Sequence, residues 1–166
     1  LDDYSRFAAM LLDKGNYQGR QLLQPGTVEY MTTHKLVPYQ QEWFDKWWEM
    51  NGYSYGNLMR VMTDSWRAPF AACEGEYGWD GWLGCYFANL PKENMTILMM
   101  MQKKDAGTFD LTRRLRNVLL LGMQYKINFY IILMKRIHTP FFRNPHRLIF
   151  VSETDFVSET RFTAEG

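Results

Sequence analysis

Acid, base, nucleophile and metal chemistry each need particular side chains at particular separations. Three histidines, His34, His138 and His146, are the first candidates. None stands at a metal-ligand spacing or beside a nucleophile it could activate, so each reads as a surface or packing residue. The acidic neighbours Asp2-Asp3 and the pair Glu74 and Glu76 read as a helix cap and a solvated loop rather than a general acid and base. Cys73 and Cys85 lie twelve positions apart with no histidine nearby, and read as buried or half-buried thiols. No metal and no cofactor is expected from these residues. The remaining chemistry is aromatic. Trp43, Phe44, Trp47 and Trp48 form i, i+4 pairs, and Trp79-Asp80-Gly81-Trp82 lies among Gly75, Gly78, Gly81 and Gly84. Such rings either pack under the rest of a domain or stack on a ligand. Lys46 stands beside Glu42, Asp45 and Glu49, so no basic patch accompanies the rings and nucleic acid is not an expected partner.

These residues have to be placed by elements. A helix is expected over 3–13, with Tyr4, Phe7, Ala8, Met10, Leu11 and Leu12 at helical spacing, and Lys14-Gly15-Asn16 ends it. Pro25 opens a second helix in which Val28 and Met31 share a face. Residues 40–51 are a short helix or an aromatic loop. The alternation over 53–62 predicts one strand, and 82–88 with 95–102 predict a hairpin turning at Leu90-Pro91-Lys92-Glu93-Asn94. Met95-Thr96-Ile97-Leu98-Met99-Met100-Met101 is almost wholly apolar, the pattern of a strand covered on both faces. After a loop at 103–107, a helix starting at Thr108 or Asp110 is expected to bury Leu111, Leu115, Val118 and Leu119 and to turn Arg113, Arg114 and Arg116 outward.

A chain of 166 residues suits one domain with a real core. Aromatic content of 16% and eleven methionines imply large apolar contact surfaces. The net charge of +1 hides an asymmetry, because no acidic residue lies between Asp110 and Glu153 while eight basic ones do. Residues 122–166 therefore read as an atypical basic and apolar tail. Its apolar run at 127–134 is too short to span a bilayer, which leaves an extra strand, a membrane-surface segment or a disordered stretch, and the tail is expected to lie outside the folded domain. The near-repeat Val151-Ser152-Glu153-Thr154-Asp155-Phe156 and Val157-Ser158-Glu159-Thr160-Arg161-Phe162 has too few copies for a repeat fold. The opening Leu1-Asp2-Asp3-Tyr4 enters a helical pattern directly, so a true N-terminus is not expected there, and cytoplasmic and exported locations both stay open.

As a set, several segments are familiar. Asp3-Tyr4-Ser5-Arg6-Phe7 with Met10-Leu11-Leu12, then Leu22-Leu23-Gln24-Pro25 with Thr27-Val28-Glu29 and Met31, then Gly52-Tyr53-Ser54-Tyr55-Gly56, Gly75-Glu76-Tyr77-Gly78-Trp79-Asp80-Gly81, Tyr86-Phe87 and Pro91-Lys92-Glu93 occur in this order. Together they resemble the C-terminal part of the serine β-lactamase-related hydrolases, the family of class C β-lactamases, DD-peptidases (penicillin-binding proteins) and β-lactamase-like esterases. The resemblance runs from about Asp2 to Leu121, so residues 1–121 would be the C-terminal portion of that domain. It implies an α+β fold, an antiparallel sheet flanked by helices and here only partial. Trp79-Asp80-Gly81 would be the family's third active-site motif, on a strand edging the cleft, and the backbone N–H of Trp82 would donate to an oxyanion. The absence of Lys or His at position 79 favours a small-molecule ester, amide or peptide-like substrate, peptidoglycan-like material included, over recognition of a β-lactam carboxylate.

The same resemblance requires a nucleophile that this sequence lacks. The family uses the serine of Ser-x-x-Lys. Three residues after Ser5, Ser54, Ser65, Ser152 and Ser158 stand Ala8, Asn57, Ala68, Asp155 and Arg161, none of them lysine. Tyr55-Gly56-Asn57 matches the second motif in form only, because in the family that tyrosine precedes the Asp-Tyr-Ser-Arg-Phe helix. The chain alone is expected to be inactive, with nucleophile and base supplied by residues upstream. Without those upstream helices, the strand at 95–101 is expected to expose apolar surface. The alternative is a non-catalytic binding module with Trp43, Trp47, Trp48, Trp79 and Trp82 as an aromatic surface.

Overall fold

The computed structural model describes residues 2–47, 50–102, 108–124 and 147–152. Expectations for Trp48, 103–107, 127–134, His138, His146 and most of the terminal repeat fall outside them. Helix α1 (Asp2–Leu12) carries Asp2 and Asp3 in its first turn, where acidic side chains suit the helix dipole. It stops because Lys14 and Gly15 both take positive φ, and a Cβ at Gly15 would lie 2.1 Å from the Leu23 carbonyl oxygen. A short ribbon of β1 (Asn16–Tyr17) and β2 (Arg20–Gln21) then leads to α2 (Pro25–Thr32), which begins on the proline and buries Val28. Helix α3 (Pro38–Lys46) also begins on a proline and carries the first aromatic cluster.

The segment 53–62 is not one strand. It is a hairpin of β3 (Tyr53–Tyr55) and β4 (Arg60–Met62), with Tyr53 opposite Met62. The apolar alternation runs through the turn and conceals it, but Gly56-Asn57 is a turn pair and Leu58 takes φ 62°. Strand β5 (Tyr77–Asp80) comes next. The following strand starts later than expected, as β6 (Tyr86–Leu90), because Gly81 to Cys85 close a turn held by the Gly81 N–H donating to the Cys85 carbonyl at 2.6 Å. Pro91, Lys92 and Glu93 form a 3-10 turn with Asn94 in the left-handed region, and β7 (Met95–Met100) completes the predicted hairpin. Helix α4 (Thr108–Gln124) and β8 (Arg147–Ser152) follow. The boundary drawn at Gly122 therefore falls inside α4.

The strands from β3 to β8 lie in sequence order in one sheet, antiparallel throughout except for β8, which runs parallel to β7. The chain is α+β. On one face Ala8 and Leu11 of α1 and Val28 of α2 pack against Val61, Tyr77, Phe87 and Leu98. On the other, Leu119 of α4, with Leu115 packed beside it, meets Tyr86, Ala88, Leu90, Met95, Ile97 and Met99. Alternate residues of β7 thus feed two cores, so Met95, Ile97, Leu98 and Met99 are fully buried, and the expected exposed apolar strand is not found. Asn89 pins the layers together. Its amide nitrogen donates to the Ala8 carbonyl of α1 and the Tyr77 hydroxyl of β5, and its oxygen accepts from Thr96 of β7. No helix among the described residues is long and apolar enough to cross a membrane.

Candidate functional site

Strand β5 carries Trp79 and Asp80, with Gly81 just beyond its end, and two different environments meet on it. At Gly78 the strands approach closely, since a Cβ would sit 1.9 Å from the Phe87 carbonyl oxygen and only glycine fits. Next along the strand, Trp79 turns into an aromatic cluster. Its ring lies 5.3 Å from Tyr55 of β3, edge to face, and 5.9 Å from Trp47 at the end of α3. Phe44 in turn contacts both Tyr55 and Trp47. The aromatic spacing in 40–51 and the Trp79 motif, far apart in sequence, are therefore one surface. Trp43 stands at its rim, 73% exposed, with the Lys46 ammonium 5.7 Å from its ring centroid.

Asp80, the last residue of β5, points the other way. Its carboxylate lies 3.1 Å from the guanidinium of Arg60 on β4, which is almost completely buried. Burial raises the Asp80 carboxyl above the usual aspartate range, and the neighbouring guanidiniums, Arg60 foremost, oppose that shift. Asp80 is thus an anchor of the strand rather than a group offered to substrate. Gly81 begins the turn into β6, and Trp82 sits on the outer corner of that turn, 68% exposed. Trp79, Trp47 and Tyr55 come together.

Beneath the β3–β6 half of the sheet lies a polar cluster that the sequence did not suggest. Glu76 and Arg116 are each about 1% exposed, which overturns both the solvated-loop reading of Glu76 and the outward reading of Arg116. Arg116 Nη2 donates to Glu76 Oε2 at 2.6 Å and to the Ala71 carbonyl at 3.1 Å, while Nη1 donates to the Tyr86 hydroxyl. The Tyr53 hydroxyl donates to the other Glu76 oxygen, and the Cys73 N–H adds a bond at 3.2 Å. Each charge is paired and hydrogen-bonded, the condition under which ions are tolerated in a core. The register explains the miss. Thr112, Arg116 and Leu119 form the inner stripe of α4, whereas Leu111 and Val118 are about half exposed. The cavity between Arg60, Arg116, Tyr53 and Tyr86 is about 20 Å³, room for one water-sized group and too small for a substrate.

Cys73 and Cys85 are free, half-buried thiols, and burial raises the Cys73 thiol above its ordinary value. His34 is exposed. Among the described residues no group of three or more His, Cys, Asp or Glu side chains gathers to hold a metal. No family model and no curated protein matches the chain.

Proposed function

We propose that the chain is the C-terminal part of a serine hydrolase of the β-lactamase-related type, a partial β-lactamase-like fold that forms one side of a substrate cleft. The observation that carries the reading is the placement of Trp79-Asp80-Gly81. The motif stands at the end of a strand of an antiparallel meander, with α1 and α2 packed on one face and α4 on the other. Arg60 holds Asp80 from below, so the strand end is fixed, as a preorganised oxyanion site requires. In this reading a serine oxygen from the upstream half attacks an ester or amide carbonyl. Negative charge gathers on the carbonyl oxygen near Gly81 and Trp82, the alcohol or amine leaves with a proton, and water then cleaves the acyl-serine bond. The second reading, a binding module without catalysis, draws on the exposure of Trp43 and Trp47.

A fluorophosphonate probe separates the two. A longer chain carrying Ser-x-x-Lys upstream should be labelled at that serine, and the present chain should not. Labelling of this chain alone, or a longer chain with no labelled serine, would refute the hydrolase reading.

A further inference from the structure

The aromatic cluster continues outward from Trp79 into an open groove of about 330 Å³ lined by Leu36, Tyr39, Gln40, Trp43, Phe44 and Trp47. We infer that this groove holds the uncharged aryl or acyl portion of the substrate, an inference that rests on the hydrolase reading. Four features point to a small apolar group. The volume lies in the range of ordinary ligand sites, and such sites are mostly apolar with few polar groups. Among the described residues none that lines the groove is charged, so its walls offer an anionic group little compensation for lost water. Tyr39, Trp43 and, just past the helix end, Trp47 recur every four residues, which places them along one side of α3 over about 12 Å, long enough to take a two-ring system. At the inner end Trp47 touches Trp79, so the groove abuts the strand that carries Trp79 and Asp80. Gln40 supplies the polar element. Its side-chain oxygen accepts from the Val37 N–H at 3.2 Å, which fixes the amide and leaves its nitrogen to donate to an ester oxygen.

Saturation-transfer NMR of the present chain with 1-naphthyl acetate, beside methyl acetate, tests this. The naphthyl protons should be saturated and methyl acetate should not. Loss of one stacked ring contributes on the order of 1 kcal/mol, so Tyr39→Ala and Trp43→Ala should each weaken binding about fivefold. Trp43→Phe should restore most of the loss. Trp66→Ala, at a tryptophan 93% exposed and outside the groove lining, should change nothing. Wild-type affinity in Trp43→Ala, or an equal loss in Trp66→Ala, overturns the inference. The two readings fail separately. A labelled longer chain with no naphthyl binding removes the groove alone, whereas naphthyl binding with an unlabelled longer chain removes the hydrolase reading and, with it, the substrate role of the groove.

Discussion

Replacing Arg116 with methionine removes a buried cation while keeping a similar length of apolar chain. Glu76 would then remain about 1% exposed, with the Tyr53 hydroxyl and the Cys73 N–H but without its cation. Breaking a buried pair from one side costs about 3–5 kcal/mol, because the surviving charge is left without its counterion. Domains of this kind are stable by only about 5–15 kcal/mol in total, so a loss of that size is a large fraction. With a urea slope of about 2 kcal/mol per molar, the midpoint should fall by about 2 M. Pairing Arg116→Met with Glu76→Gln removes both charges, and the double variant should recover about half of the loss or more, giving a favourable coupling in a double-mutant cycle. Urea titration followed by far-ultraviolet circular dichroism at neutral pH reads all four proteins. A loss under about 1 kcal/mol in Arg116→Met, or a double variant that shows the plain sum of the singles, would refute the claim that α4 is tied to the start of β5 by charge.

Two further perturbations probe the same strand. Burial pushes the Tyr77 hydroxyl from 10.0 up to about 12, with the Asn89 hydrogen bond acting in the opposite direction. The folded state therefore keeps its proton longer than the unfolded chain. The stability involved is fully present below pH 10 and is lost as pH rises to 12, on the order of 3 kcal/mol for two pKa units. Tyr77→Phe should make the fall in urea midpoint between pH 9.5 and 12 shallower; an unchanged slope refutes the assignment. Gly78→Ala would drive a Cβ into the backbone of Phe87, whereas a Cβ at Gly26 meets nothing within 4 Å. Gly78→Ala should cost about 1–3 kcal/mol and lower Tm accordingly, with Gly26→Ala near wild type, and equal Tm values for the two would contradict the close approach of β5 and β6.

Much of the fold follows from local patterns. Pro25 opening α2, Gly15 closing α1, and the Pro91–Glu93 turn before β7 depend on backbone preferences carried by single residues. What sequence patterns hid depended on partners far along the chain. Arg116 looks like any solvated helix arginine until Glu76, forty positions earlier, is brought beneath it. The hairpin at 53–62 kept its alternation through the turn, so periodicity could not reveal it. The aromatic groove was half legible: the i, i+4 spacing of its rings announced a face, but its continuity with Trp79 comes only from the packing of α3 against β3 and β5.

If the hydrolase reading holds, that continuity changes which residue of Trp79-Asp80-Gly81 would govern recognition. A carboxylate beside the proposed reaction centre would ordinarily suggest selection of a cationic substrate. Here Asp80 is turned toward Arg60, and the pair presents little net charge to the cleft. The groove beside Trp47 has no charged residue in its lining among the described residues. Selectivity at such a surface comes from ring contact and desolvation, which reward size and flatness and penalise charge. On the proposed hydrolase reading, Asp80 would fix the strand through Arg60 and Trp79 would take part in reading the substrate.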